Sequence, residues 1–434
     1  MTRILMRGGK SPFEVIDPVV TIDDNLIANN SGNLLFAQSV FKSLSVPNVE
    51  IDVAGYKPPD SAMADEISEK YDFFVLPFAN AFRGSFEKQL KSYTALIKKL
   101  KIPCVVIGVG AQTDLSFSQL KGSSIDESVK EFAAAVLERS AVIGVRGDVT
   151  REYLNKLGFG AVETIGCPSM YLNGERLVVE KKVRHLDKDS LVTVNITNKQ
   201  KPAVGSFFYR VLKAHPKTAY IAQDIEDAKL LLWGKPRKEA GTGDFIPADL
   251  DNPFIDNGAA RFFTDVPTWK SYMGDMHFSV GTRIHGNVFS ILAGTPGFVI
   301  AHDSRTLELS QYYDIPHLRG DQITEKMSAN DLYEMADYGP MMKGHPARFA
   351  KYKSFLEKNG LKHVYKNPKD AAAFDEKVSN IQFPAPIDAI TSSDRFKQRV
   401  VEIHARCDAR VDRINARLLK VEAKLAKIAE NAGV

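Results

Sequence analysis

A guanidinium and an imidazole lie two residues apart in the segment 278–287, which reads FSVGTRIHGN. Its apolar beginning predicts a short strand that ends at Gly281. In an extended continuation, the side chains of Arg283 and His285 point to the same side. A structural alternative pairs Arg283 with a carboxylate and makes His285 a core histidine, and the residue types alone leave both interpretations open.

The residues that follow predict the start of a helix beside this pair. Gly286 permits another molecule to approach the backbone closely, and Asn287 can cap an apolar helix that we expect over residues 288–293. The free N–H groups at a helix N-terminus attract anions. The segment therefore predicts a site for a small anion such as a phosphate or a carboxylate.

A second arginine, Arg146, follows a predicted strand over residues 141–145 and precedes a helix that ends at Gly158. Arg146 thus leaves the carboxyl end of a strand, where open α/β sheets place their ligands. The structural alternative is a local ion pair between Arg146 and Asp148, and both interpretations remain open at this stage.

Two further loops have residue types that suit a ligand. The apolar segment 103–112 predicts a strand that ends in glycines, with Gly110 and Gln112 in a chain that can line a cleft; a third glycine, which a dinucleotide-binding fingerprint would need, is missing. Gly32 and Asn33 precede an apolar helical run, and they fit either an ordinary turn or a loop that faces a phosphate.

Strand-like and helix-like segments alternate through two parts of the chain, and this alternation is typical of parallel α/β sheets. Residues 1–30 look irregular, the charged stretch 173–190 predicts a linker, and 234–257 predicts a long insertion. Two α/β halves imply a cleft between domains, which is a common place for ligands. The predicted strands cover 72–77, 103–112, 141–145, 191–196, 218–221, 260–263, 276–280 and 298–301.

Composition narrows the class of protein. The chain has 434 residues, 44% of them hydrophobic and 25% charged, and its net charge of +4 is too small to indicate a nucleic-acid partner. Cys104, Cys167 and Cys407 match neither a disulfide framework nor the spacing of a metal site. No apolar run reaches the roughly 20 residues that span a bilayer. We therefore expect a cytoplasmic protein without a metal ion.

The C-terminal region predicts a long helix. From residue 400 to 428 apolar residues recur at steps of three and four, flanked by arginine and lysine, which is the pattern of a coiled coil. We expect a homo-oligomer formed through this helix. Packing of the helix against its own body is the alternative. Its basic face is also compatible with an anionic membrane at the inner surface of the cell, although a solvated face is the commoner explanation.

Taken in order, these motifs resemble the polysaccharide pyruvyltransferase family between roughly residues 28 and 318. The resemblance rests mainly on Gly281-x-Arg283-x-His285 and the helix after it, with support from the loop at Gly32 and the strand into Arg146. It implies two Rossmann-like domains of the glycosyltransferase GT-B type. The domains that we predict are 1–175 on the acceptor side and 190–320 on the donor side, then a helical segment and linker over 321–392 and a coiled-coil helix over 393–431.

The resemblance also implies an activity. The family moves the enolpyruvyl unit of phosphoenolpyruvate, a substrate rather than a cofactor, onto hydroxyls of a glycan or lipid-linked saccharide, usually as a cyclic ketal. Arg146 and Arg283 would neutralise the carboxylate and the phosphate of this donor. His285 would act as acid or base, and the helix after Gly286 would hold the departing phosphate.

The sequence departs from the family pattern at three positions. Asn33 and Cys167 stand where acidic residues are common, and Arg305 stands where lysine is common and can still contact an anion. Two other functions remain open: a nucleotide-sugar-dependent glycosyltransferase of the same architecture, and a non-catalytic coiled-coil assembly protein.

Overall fold

The fold is taken from a computed structural model that describes residues 1–112, 124–197, 201–237, 247–389 and 393–432. It is an α/β fold with two parallel sheets, in which short apolar strands lie between helices. Part of the predicted insertion over 234–257 lies outside the described residues.

The first sheet has parallel strands in the order β2-β1-β3-β4, and the pair β5-β6 continues it through a parallel bridge between Val109 and Val145. The strands are β1 Thr2–Met6, β2 Val49–Val53, β3 Phe73–Pro77, β4 Cys104–Ile107, β5 Ile143–Val145 and β6 Val162–Thr164. The helices are α1 Pro18–Asp23, α2 Gly32–Leu44, α3 Ala64–Lys70, α4 Glu87–Lys99, α5 Asp126–Leu137 and α6 Asp148–Lys156.

The prediction that residues 1–30 are irregular is wrong. Strand β1 lies between β2 and β3 in the interior of the first sheet. Its apolar run covers only Ile4 to Met6 and is flanked by Arg3 and Arg7. The hydrophobic pattern is therefore too short to predict a buried strand here.

The second sheet has the order β12-β11-β10-β7-β8-β9-β13, in which only the edge strand β13 pairs antiparallel. The strands are β7 Val192–Asn195, β8 Ala219–Ala222, β9 Arg261–Phe262, β10 Phe278–Gly281, β11 Gly297–Ala301, β12 His317–Arg319 and β13 Ile387–Asp388. The helices are α7 Pro202–Ala214, α8 Ile225–Trp233, α9 Pro253–Asp256, α10 Val266–Gly274, α11 Ile284–Leu292 and α12 Ser304–Tyr313.

The two halves meet directly at the start of α2. Asn30 and Asp224 form an antiparallel bridge, the Ser31 N–H donates to the Gln223 carbonyl at 2.9 Å, and the Ile225 N–H donates to the Asn29 carbonyl at 3.0 Å. The carboxyl ends of the parallel strands therefore face each other across a cleft beside α2, which is where sheets of this kind bind ligands.

After the second sheet the chain returns to the first half through α13 Ala329–Met335, α14 Gly339–Lys358 and α15 Pro368–Ser379. The Asn359 side chain accepts a hydrogen bond from the Ala141 N–H at 3.1 Å, and Lys42 pairs with Asp375 at 2.7 Å. The chain then adds β13 to the second sheet, within a stretch where the sequence predicts a linker. The predicted domain boundaries stay a prediction, but the segment 321–389 contacts both halves.

The last helix is α16 Ser393–Ala432. On it, Val411, Ile414, Leu418 and Val421 are each about half exposed, with exposed fractions of 54%, 49%, 53% and 52%. The predicted helix is confirmed, and the coiled coil stays a prediction.

Candidate active site

The junction between β10 and α11 holds the segment that the sequence singles out. Arg283 is the last extended residue, with φ −98° and ψ 115°, and α11 begins at Ile284. His285 thus lies in the first turn of a helix. The prediction that Arg283 and His285 share one face of an extended segment is wrong, because the helix starts at Ile284, four residues before the predicted start at residue 288.

The predicted capping role of Asn287 is also wrong. Asn287 is fully buried inside α11, where its Nδ2 donates to the Gly281 carbonyl at 3.1 Å and its Oδ1 accepts from Ser279 Oγ at 3.0 Å. Asn195 Nδ2 donates to the same oxygen at 3.2 Å. Asn287 therefore fixes α11 to β7 and β10. Gly286 makes room for this arrangement, since a Cβ there would lie 2.8 Å from the Asn195 amide.

Arg283 forms a two-pronged ion pair with Asp224 at the N-terminus of α8. Its Nη1 donates to Asp224 Oδ1 at 2.9 Å, Nη2 donates to Oδ2, and Nε donates to the Ile196 carbonyl at 2.9 Å. Burial alone would raise the pKa of Asp224, but Arg283 and Arg237 outweigh burial and hold that pKa below its ordinary value. Arg283 thus pairs with a carboxylate, as the structural alternative predicts, and its charge is compensated within the protein.

Arg146 has no such partner. It is 4% exposed at the end of β5, its Nε is buried without a hydrogen bond, and no ion pair within the described part of the chain includes it. Asp148 instead accepts from Thr164 Oγ1 at 2.7 Å and pairs with Arg151 at 3.1 Å, so the local ion pair does not form. Burial lowers the pKa of Arg146. A Cβ at Gly110 would collide with this guanidinium, which explains the glycine.

Arg83 and Arg305 meet across the cleft at the Asn80 side chain. In the amide orientation that hydrogen bonding favours, the Asn80 oxygen accepts from Arg83 Nη1 at 2.7 Å and from Arg305 Nη1 at 2.9 Å. Arg305 also donates to Asp303 Oδ2 at 2.7 Å. The exposed Gln112 side chain contacts the Asn80 amide at 2.9 Å.

These guanidiniums are close enough to influence each other. Burial lowers the pKa of Arg83, and the charges of Arg305 and Arg146 lower it further. We call Arg83, Arg146 and Arg305 the arginine cluster. Because Arg83 and Arg146 come from the first half and Arg305 from the second, the cluster joins both sides of the cleft. Its positive charge is only partly compensated, so an anion is its natural ligand.

His285 lies beside the cluster, against the start of α2. A Cβ at Gly32 would lie 2.7 Å from His285 Nδ1, so glycine is needed for the ring to fit. Burial, with the charges of Arg146 and Arg305, lowers the pKa of His285 to about 3. Its Nε2 lies 3.7 Å from the thiol of Cys167, whose pKa burial raises. At neutral pH the pair is therefore an uncharged imidazole and a protonated thiol.

Asn33 serves mainly the turn before α2. Its Nδ2 donates to the Ile27 carbonyl at 2.9 Å, in a turn where Ala28 and Asn29 have positive φ values of 47° and 68°. Gly32 and Asn33 therefore belong to an ordinary turn, which is one of the two interpretations of this loop. Asn33 also lines a small cavity with Arg7, so a role in binding substrate stays a prediction.

Sequence reasoning missed Arg83 and the contact between Cys167 and His285. Arg83 lies in the loop after the carboxyl end of β3, whereas Arg146 directly follows β5, and the position in that loop was the available signal. The contact between Cys167 and His285 joins residues 118 positions apart, and no local pattern predicts it.

Comparison with known proteins identifies the family. A sequence model of polysaccharide pyruvyl transferases matches residues 30–304, which is more than half of the chain. The chain belongs to the polysaccharide pyruvyl transferase family. Membership makes the protein a transferase and supports pyruvyl transfer to a glycan. No curated protein matches the chain.

Solved structures resemble this transferase in fold. UDP-GlcNAc 2-epimerase from Methanocaldococcus jannaschii shares 10% identity, covers 82% of this chain and 99% of its own, and gives a TM-score of 0.47. UDP-GlcNAc 2-epimerase from Neisseria meningitidis shares 8% sequence identity with this chain. The match covers 88% of this chain and 100% of the epimerase, and its TM-score is 0.41. At these values the similarity assigns neither substrate nor chemistry.

Two features are absent from the described residues of this transferase. Among them, no group of three or more histidine, cysteine, aspartate or glutamate side chains is arranged to hold a metal ion. Within the same residues, no helix is both long enough and apolar enough to cross a membrane.

Proposed function

We propose that this transferase takes its pyruvyl unit from phosphoenolpyruvate, joins it to two hydroxyls of a glycan as a cyclic ketal, and releases phosphate. The observation that carries the proposal is the partly compensated arginine cluster beside an uncharged His285. Phosphoenolpyruvate has a carboxylate and a phosphate close together, and a cluster of guanidiniums can bind both groups.

Within the cluster, Arg146 and Arg83 are the donor-binding residues that the contacts favour. Each has a buried Nε without a hydrogen-bond partner, and an anion between them would supply one. Arg305 would add a third contact from the opposite half. Arg283, which the sequence favours for this role, has its charge compensated by Asp224 and would act by holding the start of α11 in place.

His285 is suited to take the proton of the attacking hydroxyl. In the first step the hydroxyl oxygen bonds to C2 of phosphoenolpyruvate, its proton goes to His285, and the methylene carbon gains a proton from solvent water, whose place in the proton balance His285 restores by releasing its own proton to solvent. In the second step another hydroxyl oxygen bonds to C2 while the C–O bond to phosphate breaks, and the proton of that hydroxyl leaves with the departing phosphate. A bound anion would compensate the charges of Arg146 and Arg305, and this would raise the pKa of His285 toward the range in which a base is effective.

The partners that we propose are a glycan or lipid-linked saccharide as acceptor and a second copy of this chain. Self-association would cover the apolar stripe on α16, where Leu418 and its neighbours are about half exposed. We also propose a cytoplasmic location, with the basic face of α16 available to an anionic membrane surface.

Isothermal titration tests the donor. We expect wild type to bind phosphoenolpyruvate and Arg146→Met to bind it at least about tenfold more weakly, because hydrogen bonds to a charged group contribute about 1.5–3 kcal/mol. Arg151→Met, which removes a partly exposed arginine from the next helix, is the matched control and should bind normally.

The comparator ligand is uridine diphosphate. Binding of uridine diphosphate alone would replace the proposal with nucleotide-sugar glycosyl transfer. Binding of neither ligand to wild type would favour a non-catalytic assembly role. Unchanged binding of phosphoenolpyruvate by Arg146→Met would place the donor away from the arginine cluster.

A further inference from the structure

The thiol of Cys167 is a buried group with an ionisable proton that lies beside the proposed base. Its side chain is 3% exposed, and its Sγ lies 3.7 Å from His285 Nε2. The other buried cysteine, Cys104, is part of β4, and its thiol donates to the Ile102 carbonyl at 3.5 Å. Of these two buried thiols, the one at Cys167 therefore belongs to the reaction site.

The backbone around Cys167 holds the thiol in place. Gly166 has a positive φ of 78°, and a Cβ there would lie 2.0 Å from the Tyr313 hydroxyl. That hydroxyl donates to the Cys167 carbonyl at 2.9 Å, and a short 3₁₀ helix, Pro168–Tyr171, follows. Because Tyr313 comes from the second half of the chain, the position of this thiol depends on the contact between both halves.

The surroundings of Cys167 also favour its thiolate once the proton has left. The Ser169 hydroxyl is fully buried and has no hydrogen-bond partner, and neither has the buried Nε of Arg146. Burial raises the pKa of the Cys167 thiol, whereas the Ser169 hydroxyl, the Arg146 charge and the Ser169 backbone N–H oppose this rise. Burial prevails, so the thiol keeps its proton at neutral pH. Donors for a transient thiolate are nevertheless within reach.

The proposed addition needs an acid as well as a base. While the hydroxyl oxygen bonds to C2 of phosphoenolpyruvate, the methylene carbon must gain a proton, and His285 is then accepting one. The guanidinium of Arg146 holds its protons too tightly to serve as the acid. Glu308, a buried acid whose pKa the Arg146 charge influences, accepts from the Thr150 N–H at 2.9 Å and caps α6 instead. The Cys167 thiol lies beside the base and has a proton to give.

We propose that Cys167 is a catalytic acid, which delivers the proton that the methylene carbon of phosphoenolpyruvate gains. The inference rests on the proposed function, because it takes phosphoenolpyruvate to bind between the arginine cluster and His285. Its S–H bond breaks as the π electrons of the carbon–carbon double bond form the new C–H bond, and the acceptor hydroxyl oxygen bonds to C2.

The same contact returns the thiol to its starting state. His285 Nε2 takes the proton of the acceptor hydroxyl and passes it across the 3.7 Å contact to the Cys167 thiolate. The proton that leaves the hydroxyl thus balances the proton that enters the methyl group. This internal transfer takes the place of exchanging both protons with solvent, and solvent then contributes only through exchange with the thiol.

The test separates proton delivery from donor binding. Full-length wild type and phosphoenolpyruvate labelled with carbon-14 are applied to a printed glycan array, and a glycan that gains the label serves as acceptor in rate measurements. Cys167→Ser keeps the size and hydrogen bonding of the thiol but carries a much weaker acid, and Cys167→Ala removes the proton altogether. Cys104→Ser, which changes a buried thiol in β4, is the matched control. Isothermal titration gives the affinity of each protein for phosphoenolpyruvate.

We expect Cys167→Ser and Cys167→Ala to lower kcat at least about 100-fold, which is the lower end of the usual contribution of a general acid. Their affinity and KM for phosphoenolpyruvate should stay within about threefold of wild type, because the proton is transferred only in the transition state. Cys104→Ser should keep the kcat of wild type.

Three results would overturn the inference. A kcat of Cys167→Ser within about threefold of wild type would leave pyruvyl transfer standing and remove Cys167 as the acid. Loss of phosphoenolpyruvate binding by Cys167→Ser in parallel with kcat would make Cys167 a structural residue. Transfer of the label to no glycan by wild type would refute the proposed function, and the catalytic acid with it.

Discussion

The contact between Cys167 and His285 gives a quantitative prediction for Cys167→Asp. Aspartate is common at this position in the family that the sequence resembles, and here it would place a negative charge beside an imidazole whose pKa is about 3. An opposite charge favours the protonated imidazole. The variant should therefore raise the pKa of His285.

The separation sets the size of the effect. At 3.7 Å between Cys167 Sγ and His285 Nε2, two unit charges interact by about 4.5 kcal/mol at an effective dielectric constant of about 20. This corresponds to roughly 3 pKa units as an upper limit. The rise in the pKa of His285 should be smaller than this limit, because the new carboxylate is itself buried and also interacts with Arg146. We expect a rise of about 1–2 units, to roughly 4–5.

Nuclear magnetic resonance of the histidine Cε1–H signals between pH 7.5 and 4 checks this value, with His285→Gln used to assign the signal. In wild type His285 should stay neutral over this range, since its pKa lies below it, whereas in Cys167→Asp it should gain a proton as the pH falls. Cys167→Ser adds no charge and should behave as wild type. A His285 signal in Cys167→Asp that does not move down to pH 4 would refute the reasoning.

Two further predictions concern stability and assembly. Asp224→Asn leaves Arg283 buried without its counter-charge and should lower the free energy of unfolding, measured with urea, by about 3–5 kcal/mol. The control Asp256→Asn changes an exposed residue and should alter that free energy by less than about 0.5 kcal/mol. A loss below about 1 kcal/mol for Asp224→Asn would contradict the importance of this ion pair. Leu418→Glu should convert an oligomer to a monomer in sedimentation experiments while Lys420→Ala should not, and a wild type that is already monomeric at micromolar concentration would remove the coiled-coil proposal.

Much of the fold follows from local sequence pattern. Strands such as β3 and β11 are continuous apolar runs that are buried in parallel sheets, and this is a strong local signal. Strand β13 has only two paired residues, Ile387 and Asp388, and exists because the edge of the second sheet is available to it. Local pattern carries no information about such an edge.

The candidate site was predictable only in part. Arg146 was correctly placed at the end of a strand, because that position depends on local structure alone. The partner of Arg283 lies 59 residues away, and that of His285 lies 118 away, so their environments depend on how the two halves meet. Sequence spacing therefore singles out Arg283 and His285 without predicting their partners, and their functional roles stay a prediction.

The return of the chain to the first half has a consequence for synthesis. Asn359 binds the backbone at Ala141, Phe355 packs against Gly144, and Asp375 pairs with Lys42, so the first half buries its last surfaces only when residues near 375 are present. During translation, apolar surface of the N-terminal sheet therefore stays exposed until most of the chain has left the ribosome. We therefore expect fragments that end near residue 320 to fail to fold, and we expect chaperones to bind the apolar surface that stays exposed during translation.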